Sequence, residues 1–478
     1  MRFGTSMLAL CGAIPLLTAV ALAQEVSDAQ YPPAAQPASP PAPPPNIVLI
    51  VADDLGYGDL GCYGQDRIAT PRIDRLAAAG CRFTSFYAGS TVCAPSRAVL
   101  MTGMHTGHCE IRGNGKQNLR AETVTLAEVL SEGGYATGLF GKWGIGHEGS
   151  EGLPTRQGFD TFFGYLDQHH AHNHFPSFLV RDEERVRLRN TVPQEGKYGQ
   201  GVATAKIDYS HDLITDAALA FVGEHAAEPF FMTLAWTLPH ANNEAGRQGM
   251  EVPAGAPYGD RDWPAPERGF AAMVARLDRD VGRLVDLLEE LGITHRTLVL
   301  FTSDNGPHNE GGHRAAFFDS SGPLSGTKRS LTEGGIRVPL IASWPGTIGA
   351  GRTADHAAGF WDLMPTLAEL AGVERHVPES TDGLSFAPTL LGELGQRPAP
   401  YQYWAFYEGG GAQALRRGRW KVVQQPMASA PRLYDLERDL GEREDLAPTR
   451  SEVLAELVDL MEQAYRPSPR WKLPTEKH

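Results

Sequence analysis

Ser90 to Gly103 reads Ser-Thr-Val-Cys-Ala-Pro-Ser-Arg-Ala-Val-Leu-Met-Thr-Gly, which puts a nucleophilic sulfur, a helix start and a cation within five residues. Pro95 suits the first turn of a helix, where its missing N–H would have no partner, and Gly103 suits the stop. Cys93 is then expected just before a helix N-terminus. Free N–H groups and the positive end of the helix dipole favour an anion there, and Arg97 adds a fixed charge one turn on. The pattern is that of an oxyanion binder. An ordinary helix start with a buried thiol and a solvated arginine fits this stretch alone equally well.

Two acidic clusters bear on that choice. Asn46 to Ala52 is an apolar, β-branched run of the kind found in strands covered on both faces, and it ends in Asp53-Asp54. Thr297 to Thr302 repeats the design and ends in Ser303-Asp304-Asn305-Gly306. Open α/β sheets place their ligands at such C-terminal strand tips. Asp53, Asp54, Asp304 and Asn305 make an all-oxygen set suited to a hard dication, Ca²⁺ or Mg²⁺. Turn and capping chemistry accounts for either pair taken singly, and it is the repetition at two strand tips that favours a metal. A thiolate at Cys93 would be a poor neighbour for such an ion, whereas an oxygen would fit.

Cys93-Ala-Pro95-Ser96-Arg97 resembles the C-x-P-S-R signature of type I sulfatases, whose cysteine is oxidised after translation to formylglycine, an aldehyde that hydrates to a geminal diol. Further blocks of that family are resembled, in its order, by Asp53-Asp54-Leu-Gly-Tyr-Gly-Asp-Leu-Gly-Cys62-Tyr-Gly, by Gly141-Lys142-Trp143-Gly144, and by Lys328 through Gly335-Ile-Arg337-Val-Pro339. The likeness runs from about Asn46 to about Gly351 and continues more weakly to the C-terminus. The blocks are like those of arylsulfatases and N-acetylgalactosamine-6-sulfatases alike. The resemblance implies an α/β, alkaline-phosphatase-like fold with a large mixed, mostly parallel sheet between helices, and the short strand-like runs Tyr401 to Tyr407, Ala412 to Arg416 and Trp420 to Gln424, set between Gly-rich turns, add an expected smaller C-terminal antiparallel-sheet subdomain. It implies that a modified Cys93 joins Asp53, Asp54, Asp304 and Asn305 on a calcium ion, magnesium being the alternative. By the same resemblance Arg97, Lys142 and Lys328 neutralise the sulfate, His240 protonates the leaving alcohol, and Lys142, His240 and Lys328 contact the substrate. The implied reaction is hydrolysis of an aryl or carbohydrate sulfate monoester, in which one diol hydroxyl attacks sulfur and the other expels sulfate as the aldehyde reforms. The implied ligand is a sulfated small molecule or glycan, and the implied maturation partner is a formylglycine-generating enzyme.

The chain departs from the commonest family pattern at one point. Where Lys-Trp-His is usual, Gly144 follows Trp143, and the absent imidazole is the one that resemblance assigns to deprotonating the diol. His147, three residues on, is the candidate replacement, with His169, His170, His172 and His174 nearby. The same histidine tract also reads as a polar pocket loop, a better account than a second transition-metal site. Two rival readings stay open: a phosphatase or phosphonate monoester hydrolase of the same superfamily, and a noncatalytic binder of sulfated glycans.

Four stretches surround these residues. Residues 1–23 carry one early cation, Arg2, an apolar centre and Ala21-Leu22-Ala23 as a small-residue cleavage site, the pattern of a secretory signal peptide. Leu10 before Cys11 argues against a lipid anchor. Residues 24–45 are a Pro/Ala-rich linker, 46–374 the expected catalytic sulfatase domain and 375–478 the expected C-terminal subdomain, with a loose tail after Pro467. Helices are expected from Thr70, with a Thr cap, from Thr125 and over Phe270 to Leu291, where apolar residues recur in steps of four and three; a final helix is expected near Thr449 to Arg466. Strands are expected at Cys81–Tyr87 and Phe230–Trp236. Formal charge is −14, which argues against nucleic-acid binding, and no later apolar stretch supports stable membrane insertion. An exported protein, periplasmic or extracellular, is expected. With Cys11 in the leader and Cys93 as the aldehyde precursor, Cys62, Cys81 and Cys109 remain, an odd number that leaves at least one free thiol.

Overall fold

Each of the seven residues of β1 (Asn46–Ala52) is buried, because this strand lies inside a large sheet with partners on both edges and cores on both faces. The computed structural model describes residues 44–474; the expected leader at 1–23 and nearly all of the linker at 24–45 lie outside the described residues. The sheet has eleven strands: β1, β2 (Cys81–Tyr87), β3 (Ala136–Lys142), β4 (Thr161–Tyr165), β5 (Phe178–Arg181), β6 (Glu184–Arg187), β7 (Phe230–Ala235), β8 (Thr297–Ser303), β9 (Arg337–Ser343), β10 (Arg352–Ala354) and β11 (Ala358–Gly359). Their order is β10-β2-β9-β8-β1-β7-β3-β4-β5-β6, with β11 beside β2. The central run β8-β1-β7-β3-β4 is parallel. Antiparallel pairings flank it, β9 against β8 and β2 on one side, β5 against β4 and β6 on the other. The sheet is therefore mixed and mostly parallel at its centre, the expected α/β, alkaline-phosphatase-like architecture.

Alternation along β1 and β8 explains why these strands read as unbroken apolar runs. Ile47, Leu49, Val51, Leu298 and Leu300 belong to one core, and Val48, Ile50, Val299 and Phe301 to the other. Helices cover both faces. The second face takes α1 (Pro71–Ala78), and the first takes α2 (Cys93–Thr102) and α3 (Leu126–Glu132). The longer α4 (Ser210–Glu224) and α5 (Ala265–Glu290) return to the second face. On α5 the apolar stripe from Phe270 to Leu288 is buried, while Leu291 falls just past the helix end and is exposed. Thr125 caps α3 in a reciprocal capping box with Glu128. Thr70 does not cap α1: its hydroxyl accepts from Gly61 N at 2.8 Å and donates to Asp74 Oδ1 at 3.1 Å, so a neighbouring turn takes the group that the cap would have used.

Beyond α6 (Glu333–Ile336), α7 (Leu363–Ala371) and α8 (Ala387–Leu391), the chain builds a second, antiparallel sheet from β12 (Gln402–Phe406), β13 (Ala412–Arg417), β14 (Trp420–Gln424) and β15 (Arg432–Asp435). One face, with Tyr403, Leu415, Val422 and Leu433, packs on α9 (Ser451–Gln463) through Leu457 and Met461. The opposite face, with Trp404, Phe406, Ala414, Val423 and Tyr434, is continuous with the core under the large sheet. The tail is not loose as far as residue 474. Leu473 is buried, and Trp471 packs on Gly113 and donates from Nε1 to Glu110 O at 3.0 Å. Cys62, Cys81 and Cys109 are all free thiols.

Candidate active site

Register alone gathers the acidic residues. Ala52 pairs with Ser303 and Val51 with Ala235, so β1, β7 and β8 end level and the residues that follow them emerge side by side. Asp53 and Asp54 follow β1, Asp304 and Asn305 follow β8, Lys142 is the last residue of β3, and His240 comes from the loop after β7. All are buried. Asp54 adopts a left-handed backbone (φ 67°), a conformation that aspartate tolerates better than bulkier residues and that turns its carboxylate from the line of the strand.

Cys93 opens α2 at the same tips. Its Sγ lies 3.4 Å from Asp53 Oδ1, and Gly103 ends the helix in the left-handed conformation expected of it. Arg97, one turn on, donates from Nε and Nη2 to Asp304 Oδ2 at 3.1 and 2.9 Å, from Nη2 to Asp53 Oδ2 at 3.4 Å, and from Nη1 to Lys142 O at 2.6 Å. Lys142 Nζ donates to Asp53 Oδ2 at 2.7 Å. Lys328 Nζ donates to Asp54 Oδ2 at 2.8 Å, lies 3.1 Å from His240 Nε2 and reaches Glu310 Oε2 at 3.5 Å. Three cations thus meet four carboxylates, of which Asp53, Asp54 and Asp304 are shut off from water. Burial alone would raise the Asp53 carboxyl, but Lys142, Arg97 and Lys328 outweigh it and hold it below its ordinary value. Burial and then Asp53 push the Cys93 thiol well up, away from the thiolate. Burial and then Lys328 hold the His240 imidazole well below its usual value. His240 Nδ1 donates to Ala241 O at 2.7 Å, which leaves Nε2 as the nitrogen beside Lys328.

The residues fit a hard cation. One ligand atom from each of Asp53, Asp54, Cys93 and His240 lies within 4.8 Å of the others. Asn305 donates from Nδ2 to Asp54 Oδ1 at 2.7 Å, while its Oδ1 is buried and accepts no hydrogen bond from the described residues, an orphaned oxygen beside the carboxylates. The sulfur suits such an ion worst, and the His240 nitrogen is the other member that is not a hard oxygen donor.

His147 does not join this cluster. Its Nδ1 faces Asp167 Oδ2 at 3.3 Å and its ring stacks on Tyr198, at a separate cleft also lined by Lys116 and Lys197. Gly144 has φ +81°, and a Cβ there would meet Gln168 Cγ at 3.2 Å, so Gln168 fills the space beside Arg97. The histidine tract splits. His170 and His174 are buried, His169 is exposed, and His172 stacks face to face on His240 with centroids 4.8 Å apart and planes 12° apart. Glu310 and Glu244, the carboxylates behind Lys328 and His172, were not legible: Glu310 sits in a loop and Glu244 in a short 3-10 segment, neither with a periodicity or spacing to single it out.

The fold and the charged strand tips define an alkaline-phosphatase-like hydrolase. The sulfatase family model matches residues 45–373, and a model of the C-terminal region of N-sulphoglucosamine sulphohydrolase matches 326–466. Arylsulfatase A of Homo sapiens is 36% identical over 468 residues, covering 88% of this chain and 86% of that protein. N-acetylgalactosamine-6-sulfatase of Mus musculus is 35% identical over 403 residues, covering 79% and 71%. Among solved structures, Ps i-CgsB in complex with k-i-k-neocarrahexaose superposes with a TM-score of 0.74 at 26% identity, covering 90% of this chain and 95% of that one. The chain belongs to the sulfatase family and is a sulfuric ester hydrolase.

Proposed function

We propose that the protein hydrolyses aryl or carbohydrate sulfate monoesters using residue 93 as nucleophile after its oxidation from cysteine to formylglycine. The observation that carries this reading is the meeting of Arg97, Lys142 and Lys328 with the buried carboxylates around Cys93. As a thiol, Cys93 is poorly placed to react, since burial and Asp53 disfavour its thiolate. Formylglycine would supply a hydrated aldehyde, an oxygen nucleophile suited to the carboxylate surroundings. Asp53, Asp54, Asp304 and Asn305, with the oxygen at residue 93, would hold a calcium or magnesium ion, which would supply Lewis-acid neutralisation of the sulfate.

The chain's own groups do the rest. Arg97 and Lys142 fix Asp304 and Asp53 and present N–H groups where the nonbridging sulfate oxygens come to lie. Lys328 does the same on the alcohol side. His240 keeps its Nδ1 proton on Ala241 O, so the proton that His240 passes to the departing oxygen is one that Nε2 takes from Lys328 Nζ, 3.1 Å away. Maturation by a formylglycine-generating enzyme and export to the periplasm or beyond belong to the same reading.

Accurate mass of the peptide carrying residue 93, from a preparation turning over sulfate esters, tests it together with matched sulfate and phosphate substrates. The expected result is an aldehyde at residue 93 and a preference for sulfate. An intact thiol in the active enzyme, or a large preference for phosphate, would overturn it.

A further inference from the structure

His172 and Glu244 form a second imidazole–carboxylate pair against the reacting centre. Both carboxylate oxygens of Glu244 lie 3.3 Å from His172 Nδ1, which fixes the ring and leaves its Nε2 with no hydrogen-bond partner among the described residues. The ring is not packed away: the side chain keeps 14% of its surface exposed, and it covers His240, whose Nε2 belongs to the centre. Asn243, the neighbour of Glu244, lines a cavity of about 740 Å³ together with Arg247, Asn309, Glu310 and Arg314. Glu310 ties that cavity to the centre through Lys328 Nζ at 3.5 Å and His240 Nε2 at 3.9 Å. Among the described residues, no aliphatic, phenyl or indole side chain lines it. An aryl ring would meet there only the stems of polar side chains and glycine, whereas a hydroxyl-bearing ring would find donors and acceptors.

We propose that His172, oriented by Glu244, hydrogen-bonds the alcohol part of the substrate through Nε2 and selects sulfated sugars over flat aryl sulfates. This rests on the sulfatase reading above and deepens it to a substrate class. A site that holds a polar group ready for a substrate hydroxyl discriminates against substrates that lack one, because the group is then left unpaired.

The experiment compares His172→Phe, which keeps a ring face for His240 but has no nitrogen, with His172→Gln and Glu244→Gln. Each is assayed on a panel of defined sulfated monosaccharides and on para-nitrophenyl sulfate, with thermal melts to show that each variant is folded. For the best sugar, His172→Phe is expected to lower kcat/KM by about tenfold to a hundredfold, with para-nitrophenyl sulfate staying within about threefold. His172→Gln should restore part of the loss, and Glu244→Gln should show a smaller loss of the same selectivity. Equal losses on both substrates would mean that the ring acts only through His240 and would overturn the proposal. So would unchanged turnover of the sugar, or a wild type that hydrolyses the aryl sulfate but no sugar. A wild type inactive on every sulfate ester is a different result: it sinks the sulfatase reading itself.

Discussion

Lys142 is 1% exposed, and an ammonium so placed persists only because Asp53 Oδ2 stands 2.7 Å away and outweighs the penalty of burial. Its removal would leave that oxygen with Arg97 at 3.4 Å as its remaining cation and would take one N–H from the place proposed for the sulfate. Lys142→Ala is therefore expected to lower kcat by about 10²–10³, with a smaller effect on KM. Steady-state kinetics on any accepted sulfate ester checks this, and a variant within about tenfold of the wild type would contradict it. The residues that could be picked from sequence are those that chain chemistry pins to strand tips: Asp53 and Asp54 after one buried run, Asp304 and Asn305 after another. His147 could not be placed from sequence, because distance along the chain says nothing about which way a glycine-rich loop turns. Gly144, at φ +81° beside Gln168, is occupied space as well as an absent side chain. A histidine put there would take a left-handed conformation costing about 1–2 kcal/mol.

Among the elements, the small antiparallel sheet has a task beyond closing the core. Gln425, just past β14, accepts from Leu331 N and donates to Arg329 O, each at 2.8 Å, and so grips the loop that carries Lys328. Lys421 of β14 reaches across to Glu333 at 2.7 Å and Glu442 at 2.9 Å, all three buried. Glu333 opens α6, directly after that loop. Lys421→Ala would leave Glu442 buried without its cation and Glu333 with Arg337 at 3.0 Å. Breaking one side of such a buried pair costs about 3–5 kcal/mol, so a clear fall in melting temperature is expected, with a loss of kcat as the Lys328 loop loosens. Lys421→Met should be milder, since it refills the volume. An unchanged melting temperature for the alanine variant would refute the role. Unbroken apolar runs made the central strands readable, because these strands are buried on both faces. β15 and the ordered tail were missed for the opposite reason: Trp471 owes its place to Gly113 and Glu110, contacts that no local window contains.

Across the whole molecule, burial shifts acids and imidazoles in directions that offset one another. Burial raises Asp59 and Asp362 to about 7, so the folded state holds protons that the unfolded chain has released, and their contribution is lost as pH rises through that value. Burial lowers His105 to about 4 and His170 to about 3, against about 6.5 unfolded. Below pH 6.5 the unfolded chain therefore binds protons that these rings refuse, and stability is lost as pH falls towards their folded values. Acidification from pH 7 to 5 strengthens the first set and weakens the second. Removing one member should expose the hidden slope. His170, wedged against Tyr165 and Phe178, is suited to this because it lies outside the charged cluster. His170→Leu is expected to be less stable than the wild type at pH 7.5, from lost ring contacts, and to close that gap by about 1.4 kcal/mol per pH unit below 6.5. Urea unfolding of both proteins at pH 7.5, 6 and 5 measures it. A gap that stays constant or widens on acidification would show that His170 takes up its proton without unfolding the chain.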